Sequence, residues 1–574
     1  MNAPIPTIWT TGSTEVFKTG TWRAALPQHI RAPSPCHAAC PVNGDIAEWI
    51  GRARARDFRG AWEILTRHNP FPAIAGRICH HPCEAACNRA GFDESLAICK
   101  LERFVGDLAL SEGWGFASTA PQHSERIAVV GGGPSGLSAA FHLRRRGYAV
   151  TLFEQEPELG GLMRHGIPSY RLARSVLDGE IARIVTMGVD VRCGEALATP
   201  ADFERLRAEY DAVYLAMGAR RQKRLPVLDY ARPWVMDGAT YLARANTGDL
   251  PLLGKRIVVI GGGSAALDVA RSARRAGHAV TILALEGAAQ MPAQREEVTE
   301  ALEEGITLVD GAMLTRFDDE RAESVRLFCV RVQFDAGAQR GQFTVTPLAG
   351  SEFMLEADAV VTSIGQDPDL AVVGGALAIE STLLHVDAQQ STTAPGVYAG
   401  GDLTSMARFV TEAIGMGKRA AHAIDRALRR RAGGAAEKSG NGDARGAGDA
   451  RHYSAAGDEA EDTVPLSHIA TFYYPHQGRA AEQRLDAVQR LATAAEVQLG
   501  FELEQTLAES ARCFSCGTCI FCDNCVQYCP DLAVKRVTQN DSDLYIVLAD
   551  YCKGCGICVK ECPTGSMRMV EEAR

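Results

Sequence analysis

Most cysteines in this chain fall into short groups whose spacing is typical of metal ligands. The densest pattern, Cys-x2-Cys-x2-Cys-x3-Cys-Pro, occurs twice. Such runs hold two [4Fe–4S] cubanes, and the fourth thiolate of each run crosses to the other cubane. Zinc ribbons instead pair two Cys-x2-Cys knuckles. We therefore expect one cluster on Cys519, Cys522, Cys525 and Cys562, and another on Cys552, Cys555, Cys558 and Cys529.

A second set of cysteines lies near the N-terminus. Spacings of three intervening residues put thiols on one helical face, and Pro41 and Pro82 would end helices where thiolates turn toward a cluster. Helical patterns such as residues 46–65 lie between the groups. We therefore predict a small α-helical metal-binding domain over residues 1–122, with zinc as an open alternative to iron and sulfide. Its cysteines are Cys36, Cys40, Cys79, Cys83, Cys87 and Cys99.

A glycine pattern suited to a dinucleotide begins at Gly131. An apolar run leads into Gly-x-Gly-x-x-Gly, a helical pattern follows, and a second apolar run ends at Glu154. These glycines allow a tight turn, a close approach to pyrophosphate and close helix–strand packing. The helix N-terminus favours the pyrophosphate, and Glu154 can accept a ribose hydroxyl. The expected binding residues are Gly131, Gly133, Pro134, Ser135, Gly136 and Glu154.

A second fingerprint begins 130 residues later, at Gly261. It reads Gly261-x-Gly263-x-x-Ala266 between apolar runs at 255–259 and 279–283. Gly261, Gly263, Ser264 and Ala265 are expected to bind a second dinucleotide. Two such units predict an α/β protein with two Rossmann-type domains.

Composition narrows the class of protein. The chain has 574 residues and a net charge of −10, without a basic stripe that would bind nucleic acid. No apolar run is long enough for a membrane span and no secretory signal is evident, so we expect a cytoplasmic protein. Residues 433–465 predict a flexible linker, and helical patterns near 479–499 and 502–512 predict a helical connector over 466–512. Cys193 and Cys329 stand alone and are expected in apolar cores.

Three N-terminal segments, PCHAACPVNGDI, GRICHHPCEAACNR and AICKLERF, resemble the N-terminal domain of the small subunit of glutamate synthase and its relatives, including dihydropyrimidine dehydrogenase. The resemblance implies a [4Fe–4S] cluster on Cys40, Cys79, Cys83 and Glu102, with Cys99 as a rival ligand. A first cluster in that family needs a Cys-x2-Cys pair upstream of Cys36, and this sequence has none there.

The resemblance extends to residue 430 and implies FAD in the first dinucleotide site. RHGIPSYRL, after Gly161 and Leu162, is similar to the flavin-facing loop of that family, and PGVYAGGDLTS is similar to its later flavin signature. Asp402 would bind the ribityl chain, with Thr411, Glu412 and Ala413 beginning a helix beneath the isoalloxazine. The implied FAD domain covers 123–240 and 370–432, and the NAD(P) domain, 241–369, is inserted in it. The strand ends AVYLAMGA and VVTSIGQDPD match the crossings between these halves.

The second site favours NAD over NADP. The 130-residue offset puts Ala284 opposite Glu154. NADP-dependent relatives carry two arginines before a Met-Pro-Ala motif, where this chain has Leu285 and Glu286. A carboxylate repels a 2′-phosphate and accepts a bond from a 2′-hydroxyl. Ala266 in place of the third glycine favours NADP, but we give the charge more weight.

Cys513 and Cys516 lie just before the ferredoxin-like domain, residues 513–574. The segment ESARCFSCG resembles the helix and Cys-x2-Cys pair that precede the first cluster in the glutamate synthase family. One hypothesis is that the missing pair has moved to the tail and meets Cys36 and Cys87, either across the domain interface or between protomers. The alternative is two extra thiols packed beside a ferredoxin-type α+β fold.

These features predict an electron-transfer subunit. Hydride transfer moves two electrons and cubanes accept one, so a flavin would convert between them. RCFSCGTCIFCDNC resembles electron-transfer subunits of 2-oxoacid oxidoreductases such as phenylglyoxylate dehydrogenase, which implies a thiamine-diphosphate partner or ferredoxin-like carriers. The alternatives are a glutamate synthase small subunit, a stand-alone ferredoxin:NAD(P) oxidoreductase, and a scaffold that has lost its cofactors.

Overall fold

The computed structural model describes residues 18, 20, 23–30, 32–118, 120–319, 324–337, 341–373, 375–432, 463–539 and 542–572. The predicted linker, apart from residues 463–465, lies outside these ranges. None of the described helices combines the length and apolarity that a membrane crossing needs.

The N-terminal region is helical and packs around buried tryptophans. Its elements are β1 (Ala25–His29), α1 (Pro35–Ala39), α2 (Ile46–Arg54), α3 (Phe58–Leu65), α4 (Pro72–Ile78), α5 (Pro82–Ala85) and α6 (Ile98–Ser111). Trp49 and Trp62 are buried in its core. Prolines begin α1, α4 and α5, where the missing N–H has no helical partner to lose.

A five-stranded parallel sheet follows, built from apolar strands with crossover helices. Its first elements are β2 (Arg126–Val130), α7 (Pro134–Arg145), β3 (Ala149–Glu154), α8 (Leu162–His165), α9 (Arg174–Val185), β4 (Asp190–Cys193), α10 (Pro200–Glu209), β5 (Ala212–Leu215) and β6 (Arg221–Gln222). β2, β3 and β5 are parallel and mostly buried. Cys193 is exposed, so the expectation of a core position was wrong: β4 is the edge strand. Cys329 is buried as expected.

The second dinucleotide unit interrupts the first. It contains β7 (Val235–Asp237), α11 (Gly238–Asn246), β8 (Arg256–Ile260), α12 (Ser264–Arg275), β9 (Ala279–Leu283), α13 (Arg295–Glu303), β10 (Thr307–Val309), β11 (Ala312–Asp318), β12 (Val325–Ala336), β13 (Phe343–Ala357) and β14 (Ala359–Thr362). Its parallel sheet runs β10-β9-β8-β14-β7, and β11, β12 and β13 form an antiparallel meander.

The chain then returns to the first sheet. The returning elements are β15 (Gln366–Asp367), β16 (Ile379–Glu380), β17 (Leu383–Leu384), β18 (Val397–Ala399) and α14 (Val410–Ala432). The first sheet has the order β18-β5-β2-β3-β4, so a strand that follows the second sheet in the chain completes the first one. The predicted insertion of one Rossmann-type unit in the other is confirmed.

The tail contains α15 (Ala487–Ala492), α16 (Leu503–Ala511), α17 (Asn524–Gln527), β19 (Val534–Gln539), β20 (Ser542–Val547), α18 (Ile557–Lys560) and β21 (Met567–Glu571). β19 pairs with β20, and β21 pairs antiparallel with β1. Residues 567–571 in the tail therefore pair with residues 25–29 in the N-terminal region.

The prediction of a helix over 479–499 was wrong, because only α15 forms there. The rest of this segment is extended and bonded to its neighbours. Leu485 N–H donates to Val497 O at 2.9 Å, and Val497 N–H donates to Tyr170 O at 2.9 Å. The Glu496 carboxylate binds Arg77 at 2.7 Å and Arg103 at 2.8 Å. Tertiary contacts override the local helical pattern here.

Candidate functional site

The first dinucleotide cradle lies at the carboxyl end of β2. Gly131 has φ +110°, a conformation that side chains other than hydrogen rarely adopt. A Cβ on Gly136 would lie 1.9 Å from the Gly131 carbonyl oxygen, so only glycine lets α7 approach the strand this closely. The N-terminus of α7 carries Pro134 and Ser135, and the Ser135 hydroxyl is 2.6 Å from that of Tyr214.

Glu154 is buried at the end of β3 and faces this cradle. Its Oε2 accepts from Gly132 N–H at 2.7 Å, and its Oε1 accepts from Glu156 N–H at 2.9 Å. Two backbone donors hold the carboxylate at the glycine loop, where a ribose hydroxyl would reach it.

The second cradle repeats this geometry with a different acidic residue. Gly261 has φ +141°, and Ser264 and Ala265 begin α12. Ala284, the counterpart of Glu154 by sequence offset, is buried. The carboxylate beside the loop belongs to Glu286, since a Cβ on Gly262 would lie 2.5 Å from Glu286 Oε2. The matching distance from Gly132 to Glu154 Oε2 is 3.0 Å.

One cavity of about 1750 Å³ connects the two cradles. This volume exceeds the ~300–1,000 Å³ of a pocket for one small ligand. It is lined by all the predicted dinucleotide residues except Gly136 and Thr411: Gly131, Gly133, Pro134, Ser135, Glu154, Gly161, Leu162, Asp402 and Ala413 on one side, and Gly261, Gly263, Ser264, Ala265 and Glu286 on the other. The crossings at 216–219 and 363–365 line it as well.

The stretch just before α14, here called the cavity floor, contains residues that the sequence did not single out. Its residues Met406, Ala407, Arg408 and Phe409 line the cavity. The Phe409 ring stacks on His80 with centroids 3.8 Å apart, which joins the cavity floor to the N-terminal domain. Burial raises the pKa of Asp402, and the charge of Arg408 partly opposes this. Irregular loops without a motif gave no sequence signal for this floor.

Thr411 turns away from the cavity toward the cysteines. Its Oγ1 lies 3.6 Å from the Sγ atom of Cys79, within hydrogen-bonding distance for sulfur. Cys79 is also hydrogen-bonded to the Cys99 thiol, which is the largest cause lowering its pKa, and it accepts from His81 N–H at 3.4 Å. The first cysteine site therefore touches the helix that begins at the dinucleotide cavity.

Two glycines bring the helices of this cysteine site together. A Cβ on Gly76 would lie 2.4 Å from Arg103 N, and one on Gly106 would lie 2.3 Å from Ala73 N. The end of α4, where Cys79 lies, is thereby held against the first turns of α6, which carry Cys99 and Glu102.

Of the predicted ligands, Cys79 lies at the end of α4 and Glu102 lies on α6, and Cys40 and Cys83 pack in the core of the N-terminal domain. Burial raises the pKa of Cys40 to about 12, with smaller contributions from the charges of Cys79 and Glu102. Burial and the charge of Cys79 raise the pKa of Glu102 to about 8. Asn69 donates to Glu102 Oε1 at 2.7 Å. Such crowded, buried acidic groups suit a metal centre, whose positive charge favours their deprotonated forms.

The eight ferredoxin-type cysteines line two separate small cavities. One is lined by Cys519, Cys522, Cys525 and Cys562, and the other by Cys529, Cys552, Cys555 and Cys558. These groups are the two ligand sets expected from the crossing rule. Cys525 and Cys558 belong to one apolar core, so the two sites adjoin.

The remaining predicted ligands are Cys36, Cys87, Cys513 and Cys516. Cys36, Cys87 and Cys513 lie against the core of the N-terminal domain, and Asn88 Nδ2 donates to Cys516 Sγ at 3.4 Å.

Residues 125–417 match the family described as pyridine nucleotide-disulphide oxidoreductases. This region is about half of the chain and contains both cradles. The chain belongs to the pyridine nucleotide-disulphide oxidoreductase family. Residues 31–114 match the family described as dihydropyrimidine dehydrogenase domain II with a 4Fe–4S cluster, and residues 518–566 match the 4Fe–4S dicluster domain.

Several relatives are similar over most of the chain. The NADP(+)-dependent formate dehydrogenase subunit beta of Moorella thermoacetica is 33% identical over 84% of this chain and 70% of its own length. The NADPH-Fe(3+) oxidoreductase subunit beta of Geobacter sulfurreducens is 30% identical, with 84% and 75% covered. The NAD-dependent dihydropyrimidine dehydrogenase subunit PreT of Escherichia coli is 32% identical, with 68% and 90% covered.

These similarities confirm the predicted fold class and the relationship to glutamate synthase small-subunit-like oxidoreductases. The chain is an oxidoreductase with an FAD/NAD(P)-type fold and iron–sulfur domains at both ends. The family includes both NAD- and NADP-linked members, so membership leaves the choice of nicotinamide cofactor open.

Proposed function

We propose that this chain is the electron-transfer subunit of a larger complex and passes electrons between NAD(H) and iron–sulfur clusters through FAD. The observation that carries the proposal is the contact between Thr411, at the start of α14, and Cys79, in the first cysteine site. This contact supports the proposal because it joins the helix that begins at the dinucleotide cavity to a predicted metal ligand. The bound flavin would exchange a hydride with the nicotinamide and single electrons with the clusters.

Residues of the first cradle suit FAD. The glycine loop leaves the N-terminus of α7 open for a pyrophosphate, and Glu154 is fixed by two backbone donors. Asp402 and Ala413 line the same cavity at the start of α14. We assign Gly131, Gly133, Pro134, Ser135, Gly136, Glu154, Gly161, Leu162, Asp402, Thr411 and Ala413 to the FAD site.

The second cradle suits NAD better than NADP. Glu286 presents a carboxylate at the glycine loop, and burial raises its pKa. Among the described cavity-lining residues between 283 and 314, none is a lysine or an arginine. A 2′-phosphate would meet a negative charge here without a positive one to offset it. We assign Gly261, Gly263, Ser264, Ala265 and Glu286 to the NAD site.

We infer that the proposed cysteine sites form a series from the cavity to the tail. In support, α1, which carries Cys36, packs against α5, which carries Cys83 of the first site. Tyr474 joins the loop of Cys513 and Cys516 to the ferredoxin sites, since its hydroxyl lies 3.1 Å from the carbonyl oxygens of Phe514 and of Pro563. Electrons entering at the cavity could therefore leave at the far end of the tail.

We propose that the partner is a thiamine-diphosphate 2-oxoacid oxidoreductase. The support is the resemblance of the RCFSCGTCIFCDNC segment to subunits of that class. Purification of the untagged chain from its source tests this. We expect a thiamine-diphosphate-dependent subunit to co-purify with the chain. A formate dehydrogenase or a glutamine-dependent large subunit in its place would contradict the choice of partner.

Anaerobic spectroscopy of the loaded chain tests the core proposal. NADH should bleach the flavin band and the broad iron–sulfur shoulder together. In a Cys79→Ala variant, NADH should still bleach the flavin while the ferredoxin-type clusters stay oxidised. A Cys329→Ala variant removes a buried cysteine outside every cysteine group and should behave like the unmodified chain. Flavin bleaching without any change in the iron–sulfur shoulder of the unmodified chain would refute the proposal.

A further inference from the structure

We propose that Cys36, Cys87, Cys513 and Cys516 hold an additional [4Fe–4S] cluster, half of whose ligands come from the N-terminal domain and half from the tail. Neither 4Fe–4S match, at 31–114 or at 518–566, contains all four residues. The inference rests on the proposed electron-transfer function for its purpose, and on geometry for its existence.

The chain around Cys87 contacts both ends of the tail pair. The Asn88 side chain donates to Cys516 Sγ at 3.4 Å and to the Val464 carbonyl at 2.8 Å. Arg89 Nη1 donates to the carbonyl of Arg512 at 2.8 Å. The residues that follow Cys87 are therefore bonded to Cys516 itself and to the residue before Cys513.

The segment before Cys36 contacts the other side of the tail loop. A Cβ on Gly517 would lie 2.0 Å from the Ala32 carbonyl oxygen, so the backbones meet directly after Cys516. Val464 N–H donates to the Pro33 carbonyl at 3.1 Å. The Cys36 Sγ lies 3.1 Å from the Ser34 hydroxyl. Both N-terminal cysteines thus flank the same tail loop.

A buried salt-bridge network fixes this junction. Arg512 is 2% exposed and binds Glu509 at 2.7 Å and Asp93 at 3.1 Å. Asp93 also binds Arg89 at 2.6 Å. Removing one partner of such a network leaves a buried charge uncompensated, so these contacts constrain how the tail sits on the N-terminal domain.

The thiols themselves suit a metal centre. Cys516 is buried, and the other three are partly buried. Four buried or partly buried thiols around one junction match the donor set of a tetrahedral thiolate metal centre.

The position of the site favours an iron–sulfur cluster over zinc, which accepts the same ligands. On one side, α1, which carries Cys36, packs against α5, which carries Cys83. On the other, Tyr474 connects Phe514 to Pro563, which follows the ferredoxin ligand Cys562. A redox-active centre here would join the first cysteine site to the tail, and a zinc ion would interrupt that series.

Iron and acid-labile sulfide per FAD in anaerobically purified full-length variants test the inference. Cys513→Ser/Cys516→Ser and Cys36→Ser/Cys87→Ser should each lose about four iron and four sulfide. The fourfold variant should lose no more than either double variant, because all four cysteines serve one site. Cys193→Ser/Cys329→Ser, which removes the two cysteines outside every group, should keep its full iron.

Full iron in the tail variant, additive losses in the fourfold variant, or loss of one zinc with unchanged sulfide would each overturn the inference. The two double variants lie on opposite sides of the junction, so a folding defect in one leaves the other to decide; unchanged FAD content reports an intact flavin domain. A failure of NADH to reduce the flavin would count against the proposed function and would leave these iron counts unchanged.

Discussion

Replacing Glu286 by glutamine should change the choice of nicotinamide cofactor. The carboxylate stands beside the glycine loop, where a Cβ on Gly262 would lie 2.5 Å from its Oε2. A hydrogen bond between a ribose hydroxyl and a charged acceptor contributes about 1.5–3 kcal/mol, and unit charges about 4 Å apart near a protein surface repel by about 4 kcal/mol. Both effects favour NADH, so we expect the unmodified chain to prefer NADH by at least ~100-fold in kcat/KM.

The variant keeps the shape of the side chain and removes its charge. Its preference for NADH should fall by about 100-fold, or ~2.8 kcal/mol. Steady-state reduction of an artificial acceptor by each nucleotide measures this ratio. Glu352→Gln, an exposed carboxylate in the same domain outside the cavity, is the matched control and should keep the original preference. Equal preference in Glu286→Gln and the unmodified chain would refute the reasoning, as would an unmodified chain that prefers NADPH.

Cys99→Ala should lower the midpoint potential of the proposed cluster on Cys79 by roughly 60 mV, a tenfold change for one electron, because the Cys99 thiol donor stabilises the more negative reduced state. An unchanged potential in an EPR-monitored titration would contradict this. Gly76→Ala should lower the free energy of unfolding by about 1–3 kcal/mol and release iron, since its Cβ would lie 2.4 Å from the backbone of α6. The control Gly51→Ala places its Cβ in open space and should keep its iron on metal analysis. Tyr474→Phe removes a hydroxyl that lies within hydrogen-bonding distance of two carbonyl oxygens, and should slow reduction of the ferredoxin-type clusters relative to the flavin in stopped-flow traces. Cluster reduction as fast as in the unmodified chain would argue against a positioning role.

Local spacing predicted the parts of this protein whose function is local. The repeated four-cysteine runs led to two cavities lined by the expected ligand sets, since each run folds as one short unit around a helix turn. The Gly-x-Gly-x-x-Gly pattern and its second copy, which ends in Ala266, likewise led to the two cradles, because a tight turn and a close backbone approach need glycine at fixed offsets.

Features that depend on side-chain direction were beyond sequence spacing. The 130-residue offset put Ala284 opposite Glu154, and only the comparison with NADP-dependent relatives pointed to Glu286, whose carboxylate lies at the second loop. Thr411 was expected to begin the helix beneath the isoalloxazine, and spacing did not indicate that its hydroxyl contacts Cys79. Residues 479–499 carry a helical pattern, but contacts of Glu496 and Val497 with other domains hold much of the segment extended. For Thr411, Glu496 and Val497 the deciding partner is far away in the chain.

The same distinction explains why the junction between the tail and the N-terminal domain has no single motif. A cluster bound by consecutive cysteines can be recognised in one short segment, whereas Cys87 and Cys513 are separated by both dinucleotide units. Closing so long a loop costs about 0.6 kcal/mol more for each doubling of its length, because the entropic cost grows with the logarithm of loop length. The pairing of β1 with β21 and the hydrogen bonds from Asn88 and Arg89 to the tail help to offset that entropic cost. A site completed across the junction would therefore make the order of the electron path differ from the order of the chain: the last domain in sequence would receive electrons through the first.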